Sequence, residues 1–197
     1  MLSVILLAVA PARAANPTTE NGIMTSFDGT PIAYTFFAPG GSALHPVPVV
    51  LMTHGWAGSR STSASGTVGW LLDHGYAVLT WDERGFGQSG GDAEVDSQQY
   101  EVRDTQGLID MVAKRPEVKL DAAGDPRMGM LGGSYAGGIQ LMTAAADTRV
   151  DAIVPQIAWN DLPRSLRPNG VFKFGWGSVL YGSGLATGAI EGLNSPA

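Results

Sequence analysis

The sequence predicts an α/β fold, a mostly parallel sheet flanked by helices, and three observations carry that expectation. Short apolar runs alternate with segments of helical period along most of the chain, as in strand–helix–strand units. Two of the runs, Val47 to Met52 (VPVVLM) and Tyr76 to Trp81 (YAVLTW), are continuously apolar, as strands buried on both faces are. A glycine-rich heptapeptide, Gly132-Gly133-Ser134-Tyr135-Ala136-Gly137-Gly138, stands between a strand pattern and a helix pattern.

The elements follow in order. Ile23 to Phe27, an Asp28-Gly29 turn and Ile32 to Phe37 read as an antiparallel hairpin. Pro39 to Pro46 is a loop before the first core strand, Val47 to Met52. A helix is expected from about Ser61 to His74, then the Tyr76 to Trp81 strand, then a polar loop from Gly85 to Asp96. Asp96 with Gln99 three residues on predicts the next helix start. Thr105, Leu108, Ile109 and Val112 share one face of that helix, and Pro116 closes it. Asp121 to Arg127 is a turn, Met128 to Leu131 a strand, Tyr135 to Ala146 a helix and Asp151 to Ile157 a strand. After Trp159 the periodicity weakens among scattered glycines and prolines.

Composition bounds the function. With 197 residues, 44% of them hydrophobic and 15% charged, the chain is sized for one domain with a real core. Its 27 glycines, about 14%, follow no collagen period and point to tight turns and close backbone approaches. It contains no cysteine, which excludes disulfides, thiolate metal sites and a cysteine nucleophile. A net charge of −6 with dispersed Lys and Arg argues against nucleic acid as a partner. No apolar run reaches the ~18 residues that span a bilayer. Leu2 to Ala10 is apolar and precedes Pro11 and the small-residue pattern Ala12-Arg13-Ala14, so residues 1–14 are expected to be an export signal. No basic residue precedes that run; a buried first strand or a mis-called start codon is the alternative reading.

The chemistry centres on Ser134. A serine on a sharp strand-to-helix turn is pushed out at the strand end, and the turn requires small residues two before and two after it, here Gly132 and Ala136. Free amides at the helix start, above all that of Tyr135, face a developing oxyanion. The same residues also fit an ordinary N-cap serine. The loop Thr53-His54-Gly55-Trp56-Ala57-Gly58-Ser59 follows the first core strand and would offer a second oxyanion amide at Trp56. His54 reads as a structural histidine that shapes this loop. Asp82 to Ser89 (DERGFGQS) reads as scaffold, with Asp82 expected to pair with Arg84. Gly85, Gly87 and Gly90 spell a dinucleotide fingerprint, but acidic GDAEVDSQQ follows in place of a hydrophobic helix, so no dinucleotide site is expected. No metal or cofactor motif is present.

The Ser134-Tyr135 pair with Gly137 after it resembles the elbow of the X-prolyl dipeptidyl-peptidase and cocaine-esterase group of α/β-hydrolases, as does Val150 to Gln156 leading to Trp159-Asn160-Asp161. The resemblance covers about residues 20–180. It implies a serine hydrolase with Ser134 as nucleophile, oxyanion amides at Trp56 and Tyr135, and a small peptide or ester as substrate. It implies a hydrolase core over residues 15–160, its sheet stopping before the last strands, and the start of a helical lid over 161–197. Members order their triad as serine, acid, histidine, whereas His45, His54 and His74 all precede Ser134. Asp161 occupies a position where a few hydrolases keep their acid, although in this group the acid comes later. The expectation is the amino-terminal part of a hydrolase, inactive by itself, with a non-catalytic α/β binding module or a non-functional truncated product as alternatives.

Overall fold

The computed structural model describes residues 16–187, so the expected export signal at 1–14 lies outside the described residues. Eight strands and five helices follow in chain order: β1 (Thr18–Thr25), β2 (Pro31–Ala38), β3 (Val49–Met52), α1 (Gly66–Asp73), β4 (Ala77–Trp81), α2 (Glu101–Val112), β5 (Leu120–Ala122), β6 (Asp125–Pro126), β7 (Met128–Gly133), α3 (Tyr135–Ala146), β8 (Ala152–Gln156), α4 (Leu162–Leu166) and α5 (Phe174–Thr187). A 3-10 turn at Pro168–Gly170 links the last two helices.

Six strands form one sheet in the order β1-β2-β4-β3-β7-β8. The β1/β2 and β2/β4 pairs are antiparallel, and β4/β3, β3/β7 and β7/β8 are parallel. The two continuously apolar runs, in β3 and β4, are neighbours at the centre of the sheet, because only central strands lose water on both faces. Asp28-Gly29 makes the hairpin turn, with Gly29 at φ 90° and the Asp28 carboxylate accepting the Thr30 N–H at 3.0 Å.

Helices cover both faces. Val68, Leu71 and Leu72 of α1 pack on Phe37 and Val78 on one side. On the other, Leu108, Ile109 and Val112 of α2 and Ile139 of α3 bury Phe36, Leu51, Leu79 and Met130. The expected apolar stripe of α2 is thus the stripe that is buried.

Several boundaries differ from expectation. The α1 helix begins at Gly66, because the carbonyl of Ser61 is taken by the Thr80 hydroxyl and 61–65 run as loop. The α2 helix begins at Glu101, not near Asp96, which stands at φ 58° with its side chain turned inward. The Glu101 carboxylate takes the loop amides of Glu94 and Ser97 instead. The helix also ends at Val112, ahead of Pro116. The expected turn at 121–127 carries a small hairpin, β5 with β6. Past Trp159, where no pattern was legible, α5 forms with large exposed side chains at Phe174, Trp176 and Tyr181.

The connections fix where a site can lie. From β3 the chain crosses by α1 to β4 on one side, and from β4 it returns by α2 to β7 on the other. At such a switch point the loops diverge and leave a crevice at the carboxyl ends of the strands. The loop after β3 carries Thr53 to Ser59, and β7 runs into Ser134.

Candidate active site

Ser134 stands between β7 and α3 at φ 58°, ψ −119°. Its N–H donates to the Gln156 carbonyl at 2.9 Å, and its carbonyl accepts the amides of Gly137 and Gly138 at 2.8 and 3.0 Å. The backbone is fully tied while the half-buried hydroxyl makes no hydrogen bond among the described residues. The turn is as crowded as the sequence requires. A Cβ on Gly132 would come within 2.6 Å of the Ala136 Cβ, and one on Gly137 within 2.9 Å of the Ala158 Cβ. Tyr135, first in α3, has a backbone N–H without an intrahelical acceptor.

The loop after β3 reaches the same place. The Gly58 N–H donates to the Gly55 carbonyl at 2.9 Å, and Ala57 takes φ 63°. A Cβ on Gly55 would lie 3.7 Å from that of Ser134. The Trp56 ring meets the Tyr135 and Phe86 rings edge-on, with centroids 5.2 and 5.1 Å apart. The structure thus brings Ser134, Tyr135 and the Trp56 loop together.

His54 is buried in this loop with both ring nitrogens engaged. Nε2 accepts the Glu83 N–H at 3.1 Å, so the proton is on Nδ1, which donates to the Gly55 carbonyl at 2.9 Å. Burial pushes its pKa down and keeps the ring neutral, against the smaller upward pulls of the Gly55 carbonyl and Asp82. His45 and His74 precede β3 and β4, at the opposite edge of the sheet from Ser134; His74 bonds the Trp70 carbonyl at 2.7 Å. Asp161 caps α4, its carboxylate accepting the Arg164 N–H at 2.8 Å.

The expected Asp82–Arg84 pair does not form. Asp82 turns toward the β3 side, where Arg60 binds it and the amides of Arg60 and Gln88 donate to it at 2.6 and 2.9 Å. Arg84 turns toward α2 and grips both oxygens of Asp104 at 2.7 and 2.8 Å, with Asp28 at 3.0 Å. The glycine-rich loop folds around Asp82, whose carboxylate leaves no room for a Cβ on Gly87.

Beneath the elbow lies an acidic cluster that the sequence reading missed. The Tyr135 hydroxyl donates to Glu101 at 3.2 Å and accepts the Asp96 N–H at 3.4 Å. The carboxylates of Glu83 and Asp96 are buried there without a hydrogen-bond partner of ordinary geometry. Burial, then the neighbouring charges of Asp96, Glu101 and Asp104, pushes Glu83 well above the usual carboxylate range. Burial and the charge of Glu101 push Asp96 up to about 8. The acidic density of 82–104 was the available signal, but it reads equally as a solvated loop.

A cavity of about 230 Å³ opens on Ser134, walled by Trp56, Tyr135, Trp159, Leu166 and Leu180. The Trp56 indole N–H donates to the Leu180 carbonyl at 2.8 Å and ties α5 to the loop after β3. Among the described residues, no group of three His, Cys, Asp or Glu side chains is placed to hold a metal ion, and no helix is long and apolar enough to cross a membrane.

Comparison with known proteins gives a consistent result. An uncharacterized 31.7 kDa protein of Escherichia coli is 32% identical over 130 residues, covering 66% of this chain and 43% of that protein. The quorum-quenching protein AidA of Acinetobacter baumannii is 30% identical over 116 residues, covering 58% and 36%. The chain thus spans less than half the length of these curated relatives. In fold it resembles a CocE/NonD family hydrolase from Staphylococcus aureus (TM-score 0.66, 21% identity, covering 88% of this chain and 34% of that one). It also resembles an acetyl xylan esterase from Paenibacillus sp. R4 (TM-score 0.62, 19% identity, covering 95% and 66%). The family described as X-Pro dipeptidyl-peptidase (S15 family) matches residues 28–193, and the chain belongs to that family of α/β-hydrolases.

Proposed function

We propose that Ser134 is the nucleophile of a serine hydrolase that cleaves a peptide or ester through an acyl-enzyme. The observation that carries this reading is the strand-to-helix serine at φ 58°, its backbone tied and its hydroxyl unengaged beside the Trp56 loop. In the reaction the Ser134 Oγ attacks the substrate carbonyl carbon and loses its proton to a base. The backbone amides of Trp56 and Tyr135 receive the oxyanion. The leaving alcohol or amine departs with a proton, and water then releases the acid from the acyl-enzyme.

The base is not among the described residues, because both nitrogens of His54 are occupied in holding the loop. A serine without an adjacent base is a weak nucleophile. With triad partners missing, catalysis over water falls to roughly 10³–10⁴-fold. The 197-residue chain is therefore expected to label poorly with a fluorophosphonate and to turn over p-nitrophenyl acetate and an X-Pro anilide barely or not at all. A chain extended to the length of its relatives, carrying an acid and a histidine after Ser134, should label at Ser134 and lose the label in Ser134→Ala. Labelling of the extended chain that survives Ser134→Ala would overturn the assignment. Turnover by the short chain that vanishes in both Ser134→Ala and His54→Ala would make His54 the base.

A further inference from the structure

We propose that the Ser134 pocket receives an uncharged apolar acyl group, so that the substrate is an ester of an apolar acid and not a dipeptide with a free amino terminus. This rests on Ser134 as the nucleophile and concerns what its pocket accepts.

The walls carry the argument. Apart from Ser134 the described walls are Trp56, Tyr135, Trp159, Val95 and the leucines and Tyr181 of α4 and α5, with no charged side chain among the described residues. An ammonium brought into such a pocket gives up its water and gains no partner, which is strongly unfavourable. A dipeptide amino terminus needs a carboxylate facing the ligand. The nearby carboxylates do not supply one. Glu101 receives the Tyr135 hydroxyl and two loop amides. Glu83 and Asp96 are buried beneath the elbow and do not line the cavity. Asp104 is neutralised by Arg84.

The cavity of about 230 Å³ has room for several carbons of an acyl chain beside Ser134. The hydrogen bond from the Trp56 indole to the Leu180 carbonyl at 2.8 Å ties α5 across this pocket.

The test is equilibrium binding to the 197-residue chain, which needs no turnover. The probes are neutral methyl ketones of increasing length and the dipeptide Ala-Pro, read by calorimetry at neutral pH. Affinity should rise about fourfold for each added methylene until the cavity is full and then level off. Ala-Pro should bind at least tenfold more weakly than a ketone of equal size. Leu166→Asp should weaken the ketones at least tenfold. The series on the unmodified chain keeps the test independent of that variant's folding. Ketone affinity that ignores chain length, or Ala-Pro binding as tightly as the ketones, would overturn the proposal. Ketone binding reads the pocket and fluorophosphonate labelling reads the serine, so either reading can fail while the other stands.

Discussion

At Ser134 a non-glycine residue holds a left-handed backbone (φ 58°, ψ −119°) that costs of order 1–3 kcal/mol. It persists because neighbours leave no alternative: Gln156 holds its amide, and Gly132, Ala136, Gly137 and Ala158 meet at van der Waals limits around it. Since no hydrogen bond of the hydroxyl is lost, replacing this residue sets the strain against the extra unfolded-state entropy of glycine. Ser134→Gly should stabilise the chain by about 1 kcal/mol relative to Ser134→Ala, which keeps the Cβ and the strain. Urea denaturation of the two variants measures the difference, and a higher midpoint for Ser134→Ala would show that the backbone is relaxed. The smallness of Gly132 and Ala136 was legible in the sequence because the steric demand of the turn falls at fixed offsets. The partners of Asp82 and Arg84 were not. Their separation depends on which way each side chain leaves the loop, and Arg60 and Asp104 are distant in sequence.

The segment leading into α2 shows the limit of local signals at the level of an element. Asp96 and Gln99 have capping spacing, yet Glu101 takes the loop amides and Asp96 is turned into the protein against α3. The choice is made by tertiary contacts, among them the Asp96 N–H donated to the Tyr135 hydroxyl, which no window of the sequence contains. One consequence is a pH dependence. Asp96 has its pKa raised from about 3.8 to about 8 by burial and by the charge of Glu101. Between those values the folded chain binds a proton that the unfolded chain has released. The stabilising contribution is therefore complete below the unfolded pKa and falls as pH rises toward 8, by up to about 1.4 kcal/mol per pH unit. Glu83 shifts in the same direction and adds to the slope. Asp96→Asn keeps the shape and cannot ionise, so its stability should decline less between pH 5 and pH 8 than that of the unmodified chain. Parallel stability profiles in urea would show that Asp96 is ionised throughout.

Over the whole molecule, the buried central strands β3 and β4 and the placing of Ser134 between a strand and a helix followed from apolar runs and one steric motif. What lay beyond Trp159 did not, because the glycine-rich α5 shows no single apolar face and its large side chains stand largely exposed. The sheet has an equally unsatisfied side. Among the described residues, β8 is the outer strand and pairs only with β7, in parallel. On the α1 face beside it runs a groove lined by Val50, Trp70, Leu71, Tyr76, Leu131 and Val154, with Val154 half-exposed. An outer strand with apolar side chains invites pairing with another chain, and Pro155, which has no N–H to donate, blunts it at one position. The 197-residue chain should therefore associate as its concentration rises. Val154→Lys places a charge in the middle of this patch at a site where substitution costs only about 0.5 kcal/mol, since the side chain is not in the core. Light scattering across a concentration series should show the apparent mass of the unmodified chain rising and that of Val154→Lys remaining monomeric at equal thermal stability. Equal association of both chains would move the contact away from β8, and the exposed aromatics of α5 would be the next surface to substitute.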